Sequence, residues 1–117
     1  KVMLASLSEE QLKGFVQRVE LKPSTKNSIT EVPALLREIA EVRRAGIAFD
    51  KGEFNLEVRC IAVPVSDFTG RVVGALGVSG PIWGQNSQAQ QVKAKFLQAA
   101  AARLSAAFGA KDANAPQ

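Results

Sequence analysis

A chain of 117 residues fits one domain, long enough to bury a real core but not two of them. An apolar fraction of 46% and a charged fraction of 22% match ordinary globular usage and exclude wholesale disorder. The net charge of +4 is spread along the chain, with no clustered basic stripe or recognition helix, so specific DNA contact by this segment is not expected. In chain order, residues 1–7 read as the end of a helix. Ser8 followed by Gln11 is a capping-box pattern, and Leu12, Phe15, Val16 and Val19 then recur at helical spacing. A polar loop around Pro23, Ser24 and Asn27 precedes Thr30, an expected N-cap, with Pro33 in the first turn of the next helix. There Leu35, Leu36, Ile39 and Val42 form an apolar stripe, the pair Arg43-Arg44 complements the C-terminal end, and Gly46 stops the helix.

Residues 47–49 read as a short strand ending at Asp50, followed by a loop to Asn55. Two stronger strand signals, 58–65 and 72–79, flank the turn cluster Ser66-Asp67-Phe68-Thr69-Gly70 and predict a hairpin, closed by Gly80-Pro81. Ser87 is the expected cap of a long helix running to Phe108 with Gly109 beyond it. Val92, Phe96, Leu97, Ala100, Leu104 and Phe108 are expected on its packed side. The order helix, helix, strand, hairpin, helix defines an α+β fold with an antiparallel sheet, helices being expected on one face of it. Residues 1–109 make the domain and 110–117 a loose tail.

Pairing Val65 with Val72 sets Cys60 opposite Gly77 and Val58 opposite Ser79. One face then carries Val58, Cys60, Ala62 and Pro64 against Val73, Ala75, Gly77 and Ser79, all small beside the Ile61, Val63 and Leu76 of the other face. Room above small residues means either close approach of another backbone or a ligand cavity.

The catalytic inventory is thin. The chain has no histidine, which removes Ser-His and Cys-His nucleophile pairs, and one cysteine cannot close a zinc shell. No glycine-rich nucleotide-binding motif occurs. Neither a catalytic residue, a metal nor a cofactor is expected. The lone Cys60 excludes an internal disulfide and fits a reducing cytoplasm, and no apolar run approaches the roughly 20 residues of a membrane span. Lys1 is no natural start, which predicts a fragment or a processed product.

Four segments follow one another in order: Gly46-Ile47-Ala48-Phe49-Asp50, Glu53-Phe54, Val58-Arg59-Cys60-Ile61-Ala62-Val63-Pro64-Val65 and the run from Gly70 to Pro81. Together they resemble the effector domain of the IclR (isocitrate lyase regulator) transcription factors. Lys1-Val2-Met3-Leu4-Ala5 is similar to a family helix, and Asn27-Ser28-Ile29-Thr30 to the loop before the next. The resemblance implies a GAF-like antiparallel sheet flanked by helices, here without its first strands. It also implies a winged helix-turn-helix domain upstream that would carry all DNA binding, and assembly into dimers or tetramers. The ligand it implies is a small organic or aromatic acid, held at Asp50, Cys60, Gly77 and Ser79. Gly77 stands where some members carry serine, which removes a hydroxyl and adds space. Against this stand the plainer roles: Cys60 as a small buried residue, Asp50 as a turn cap, Ser79 as a strand-end hydroxyl. Trp83 can cover a pocket, fill an interface or stack on the surface; Arg59 is expected in an ion pair or over apolar surface. The alternatives are a stand-alone GAF-like ligand-binding domain without a DNA partner, and a small hydrolase or transferase acting through Cys60.

Overall fold

Ser8 opens the first full helix as its sequence requires. Its hydroxyl accepts from Gln11 N at 3.1 Å, and the Gln11 amide oxygen accepts from Ser8 N at 3.0 Å. The computed structural model describes residues 1–81 and 86–110. Trp83 and the tail from Lys111 onward lie outside the described residues. Among those described, seven elements run in order: α1 (Val2–Ala5), α2 (Glu9–Arg18), α3 (Val32–Ala45), β1 (Ala48–Asp50), β2 (Val58–Ser66), β3 (Val72–Pro81) and α4 (Ser87–Ala107). The strands form an antiparallel sheet in the order β1-β2-β3.

Two caps differ from expectation by one residue. Glu31 rather than Thr30 is the N-cap of α3 and makes no side-chain cap bond, while Pro33, lacking an N–H, falls in the first turn where none is needed. Asn86 rather than Ser87 caps α4, its side-chain oxygen accepting from Ala89 N at 2.8 Å. Gly46 ends α3 in the left-handed conformation, φ 69°. Arg43 does more than complement its own helix. Nε donates to Ala5 O (2.9 Å) and Nη2 to Leu7 O (2.7 Å), so it satisfies carbonyls left open where α1 ends.

The hairpin register is shifted by two residues from the expected one. Cys60 pairs with Ser79, Ala62 with Gly77, and Val58 with Pro81, so the expected opposition of Cys60 to Gly77 is corrected. The turn is the cause. Asp67 N donates to Arg71 O at 3.0 Å, closing a tight loop in which Gly70 takes φ 81°. The Asp67 carboxylate accepts from Thr69 N, Thr69 Oγ1 and Arg71 N, and these bonds, the Thr69 hydroxyl first, hold it below the usual carboxylate range. A bulge between Val65 and Ser66 then displaces the ladder by one more residue. A shift of two leaves each side chain on its expected face.

Helices cover both faces of the sheet, not one. On the bulky face Ile47, Ile61, Val63 and Val65 pack with Leu97 and Ala101 of α4. On the small-residue face Val2 of α1 and Val42 of α3 pack with Ala48, and Ala5 and Ala62 border them. Small side chains at 48 and 62 let α1 approach the sheet closely, one of the two outcomes open from the sequence. A third cluster, Leu12, Leu35 and Ile39, joins α2 to α3 away from the sheet. The α4 stripe is a further correction: Leu97 and Ala101 are buried, but Phe96 is 75% exposed, and Val92, Leu104 and Phe108 are also exposed. Residues four apart at 92, 96, 100, 104 and 108 stay exposed, Phe96 and Ala100 bordering an open cavity beside Ile61 and Val78 of the sheet, and the neighbouring line through Leu97 and Ala101 is the buried one.

Candidate functional site

The observed register draws three of the four expected site residues into one row. Asp50 pairs with Cys60, and Cys60 with Ser79, so all three stand on the small-residue face. The Cys60 thiol and the Ser79 hydroxyl share a hydrogen bond of 3.0 Å. The next row is Ala48, Ala62 and Gly77, without polar side chains. Where α1 leaves the Asp50 row uncovered, a cavity of about 280 Å³ opens. Lys1, Val2, Ala48, Phe49, Asp50, Glu53, Cys60 and Ala62 line it. Ser79 and Gly77 lie outside its walls; Ser79 meets it only through its bond to the Cys60 thiol, and itself lines a separate cavity of about 390 Å³ with Ile61, Val78, Phe96 and Leu97. A Cβ built on Gly77 would stand 3.1 Å from Ile61 O, so the absent side chain matters there for backbone approach.

Asp50 holds the loop after it. Its Oδ1 accepts from Gly52 N (3.0 Å) and Glu53 N (2.8 Å), an Asx-type turn, so the turn-capping role is real. The second carboxylate oxygen takes neither of these bonds, and Asp50 is part of the cavity wall.

Sequence reasoning missed the supports of this wall. Lys1 Nζ donates to Glu53 Oε2 (2.6 Å), Phe49 O (2.7 Å) and Glu38 Oε1 (3.1 Å). The three donors of an ammonium are thereby used. On the far side Thr25 Oγ1 donates to Gly52 O (2.6 Å), Asn27 Nδ2 to Lys51 O (3.0 Å) and Ser28 Oγ to Glu53 O. The signal was present in the short polar side chains of the segment 24–28, but their partners are about 25 residues distant, beyond any local pattern. Arg59 forms no ion pair among the described residues; its Nη1 donates to Leu56 O and Val58 O. Among those residues no group of three or more His, Cys, Asp or Glu stands together to hold a metal, and no helix is long and apolar enough to cross a membrane.

Among the described residues, a three-stranded antiparallel sheet with helices on both faces, and a part-polar cavity beside the start of α1, define an α+β domain with room for a small ligand. Residues 1–106 match the family model described as bacterial transcriptional regulator IclR C-terminal, and the chain belongs to that family. It is 37% identical over 112 residues to the transcriptional regulator KdgR of Escherichia coli K12, an alignment covering 96% of this chain and 43% of that protein. The chain thus spans less than half the length of this curated relative. Its structure resembles the C-terminal domain of E. coli KdgR, with a TM-score of 0.86 and 36% identity over 92% of this chain and 66% of that one. It also resembles the Thermotoga maritima IclR, with a TM-score of 0.87 and 31% identity over 92% of this chain and 44% of that one. A third neighbour is the inducer-binding domain of the Acinetobacter transcription factor PobR, solved as a double mutant with 3-hydroxybenzoic acid. There the TM-score is 0.81 and the identity 27%, over 89% of this chain and 60% of that one. The relatives are named as regulators and repressors of transcription, and this chain is the C-terminal, effector-binding domain of that regulator family.

Proposed function

We propose that this domain senses a small hydroxylated organic acid, an aromatic hydroxy acid fitting best, and that Asp50, Cys60 and Ser79 receive its polar groups. The observation that carries the reading is the row of these three side chains across three strands, beside a cavity of about 280 Å³. That volume is close to the lower end of small-molecule sites, about 300–1,000 Å³, which suits a single ring. The second oxygen of Asp50 accepts a ligand hydroxyl. A ligand carboxylate beside it would be repelled, and Lys1, the cation in the wall, already spends its donors on Glu53, Glu38 and Phe49 O. The acid group therefore points away from Asp50, toward Ser79 or backbone N–H groups. Gly77 and Ala62 leave the adjoining row low. The 3-hydroxybenzoic acid held by the PobR domain supports the ligand class.

In the whole regulator this occupancy biases two conformations by its different affinity for them. A DNA-binding domain outside this chain carries the bias to an operator, in a dimer or tetramer acting in the cytoplasm. Isothermal titration with 3-hydroxybenzoate and with pyruvate tests the reading. The aromatic acid is expected to bind more tightly, and Asp50→Ala to weaken it about 10- to 100-fold, as for a lost hydrogen bond to a charged group. Tighter binding of pyruvate, or full affinity in Asp50→Ala, would refute it.

A further inference from the structure

The side chains that meet the ligand do not hold themselves in place. Asp50 ends β1, and the course of the loop after it decides where its second oxygen points. One cation gathers that region. Lys1 Nζ reaches Glu53 in the loop, Phe49 O in the strand just before Asp50, and Glu38 on α3. Its side chain is 16% exposed and that of Glu53 18%, so the pair is largely removed from water. The Glu53 oxygen that receives Lys1 also accepts from Lys51 N at 3.2 Å, and Glu53 N is one of the two donors to Asp50 Oδ1. A continuous line of bonds therefore runs from the ammonium through Glu53 to the carboxylate of Asp50. Both ends of the line are in the cavity wall.

We propose that Lys1 is the positioning residue of the effector cavity: it fixes the loop after β1 and, through Glu53, the aim of the Asp50 carboxylate. The term effector cavity rests on the function proposed above, but the line of bonds does not. Removing one partner of a sheltered pair leaves the other charge uncompensated, which frees Glu53 to turn out to water. Gly52 N and Glu53 N then lose the fixed acceptor that Asp50 gives them, and Cys60, paired with Asp50, becomes easier to reach. The hairpin ladder, bonded independently, has no reason to change.

Native-state amide exchange and alkylation of Cys60 by iodoacetamide test this without any effector, so failure of the ligand assignment leaves the outcome readable. In Lys1→Met, exchange at Gly52 and Glu53 is expected to accelerate at least tenfold, with the amides of 59–65 and 74–80 unchanged and Cys60 alkylated faster. Lys1→Arg should recover most of the protection. Should Lys1→Met fail to fold, Glu53→Gln, which keeps the shape and removes the charge, is expected to give the same local pattern. Unchanged exchange at Gly52 and Glu53 in a folded variant overturns the proposal. So does an equal acceleration across the hairpin, because that would mean Lys1 contributes only to overall stability.

Discussion

Asp67 shows how much one side chain decides in this chain. Three bonds from Thr69 and Arg71 close on one of its oxygens and set the turn, and the turn sets which residues of β2 and β3 face each other. Its pKa is lowered in the folded chain, so its contribution to stability is present above the ordinary carboxylate range and is lost as the pH falls through the lowered value. Asp67→Ala is expected to lower the melting temperature at pH 7. The gap to the unaltered chain should narrow as the pH drops below the ordinary carboxylate range, which thermal melts at several pH values will register. A constant gap down to the most acid condition would show that the carboxylate charge is not what holds the turn. Site residues behave differently from this local one. Cys60 and Ser79 could be picked out as chemistry-bearing, yet their adjacency depended on a register that the hairpin residues alone left two positions away.

At the scale of the element, local chemistry was read most surely where both partners lie within one turn. The capping box of Ser8 and Gln11 is of this kind, and so is Gly46 in its left-handed conformation. Ser8→Ala removes the acceptor for Gln11 N and is expected to cost about 1 kcal/mol, the usual worth of an N-cap. Chemical denaturation will measure it, and a change below a few tenths of a kcal/mol would mean that α2 is held by Leu12 and its neighbours alone. The cap of α3 was displaced by one residue because its entry rests on Pro33 and on Leu35 and Ile39 docking against α2, not on a side-chain bond. For α4, periodicity identified the helix but not its buried side. Two apolar lines run along it, Val92-Phe96-Ala100-Leu104-Phe108 and Leu97-Ala101, and nothing local says which one meets a sheet.

At the scale of the molecule, those exposed residues have a consequence. Val92, Phe96, Leu104 and Phe108 on α4, with Val73 and Val78 on β3, leave apolar surface uncovered. β1 and β3 each pair on one side alone among the described residues. Unpaired strand edges and apolar surface favour association. Light scattering is expected to give a mass above that of one chain, moving toward the monomer in Phe96→Lys. A monomer at high concentration in the unaltered chain would contradict this.

The amino-acid sequence by itself determined the α+β class, the strands and helices in order, the face on which each hairpin side chain lies and the family resemblance. Each of these depends on residue type at short spacing: a period of two or nearly four, a cap within one turn, a motif in a fixed run. Tertiary structure alone decided the hairpin's pairing, the placing of α1 and α3 against the small-residue face, the exposure of the line through Phe96 and the gathering of Lys1, Glu38 and Glu53 beside Asp50. The physical reason is reach. Lys1 and Glu53 are brought together by packing between helix and sheet, and no local preference of either residue anticipates a partner about fifty positions away.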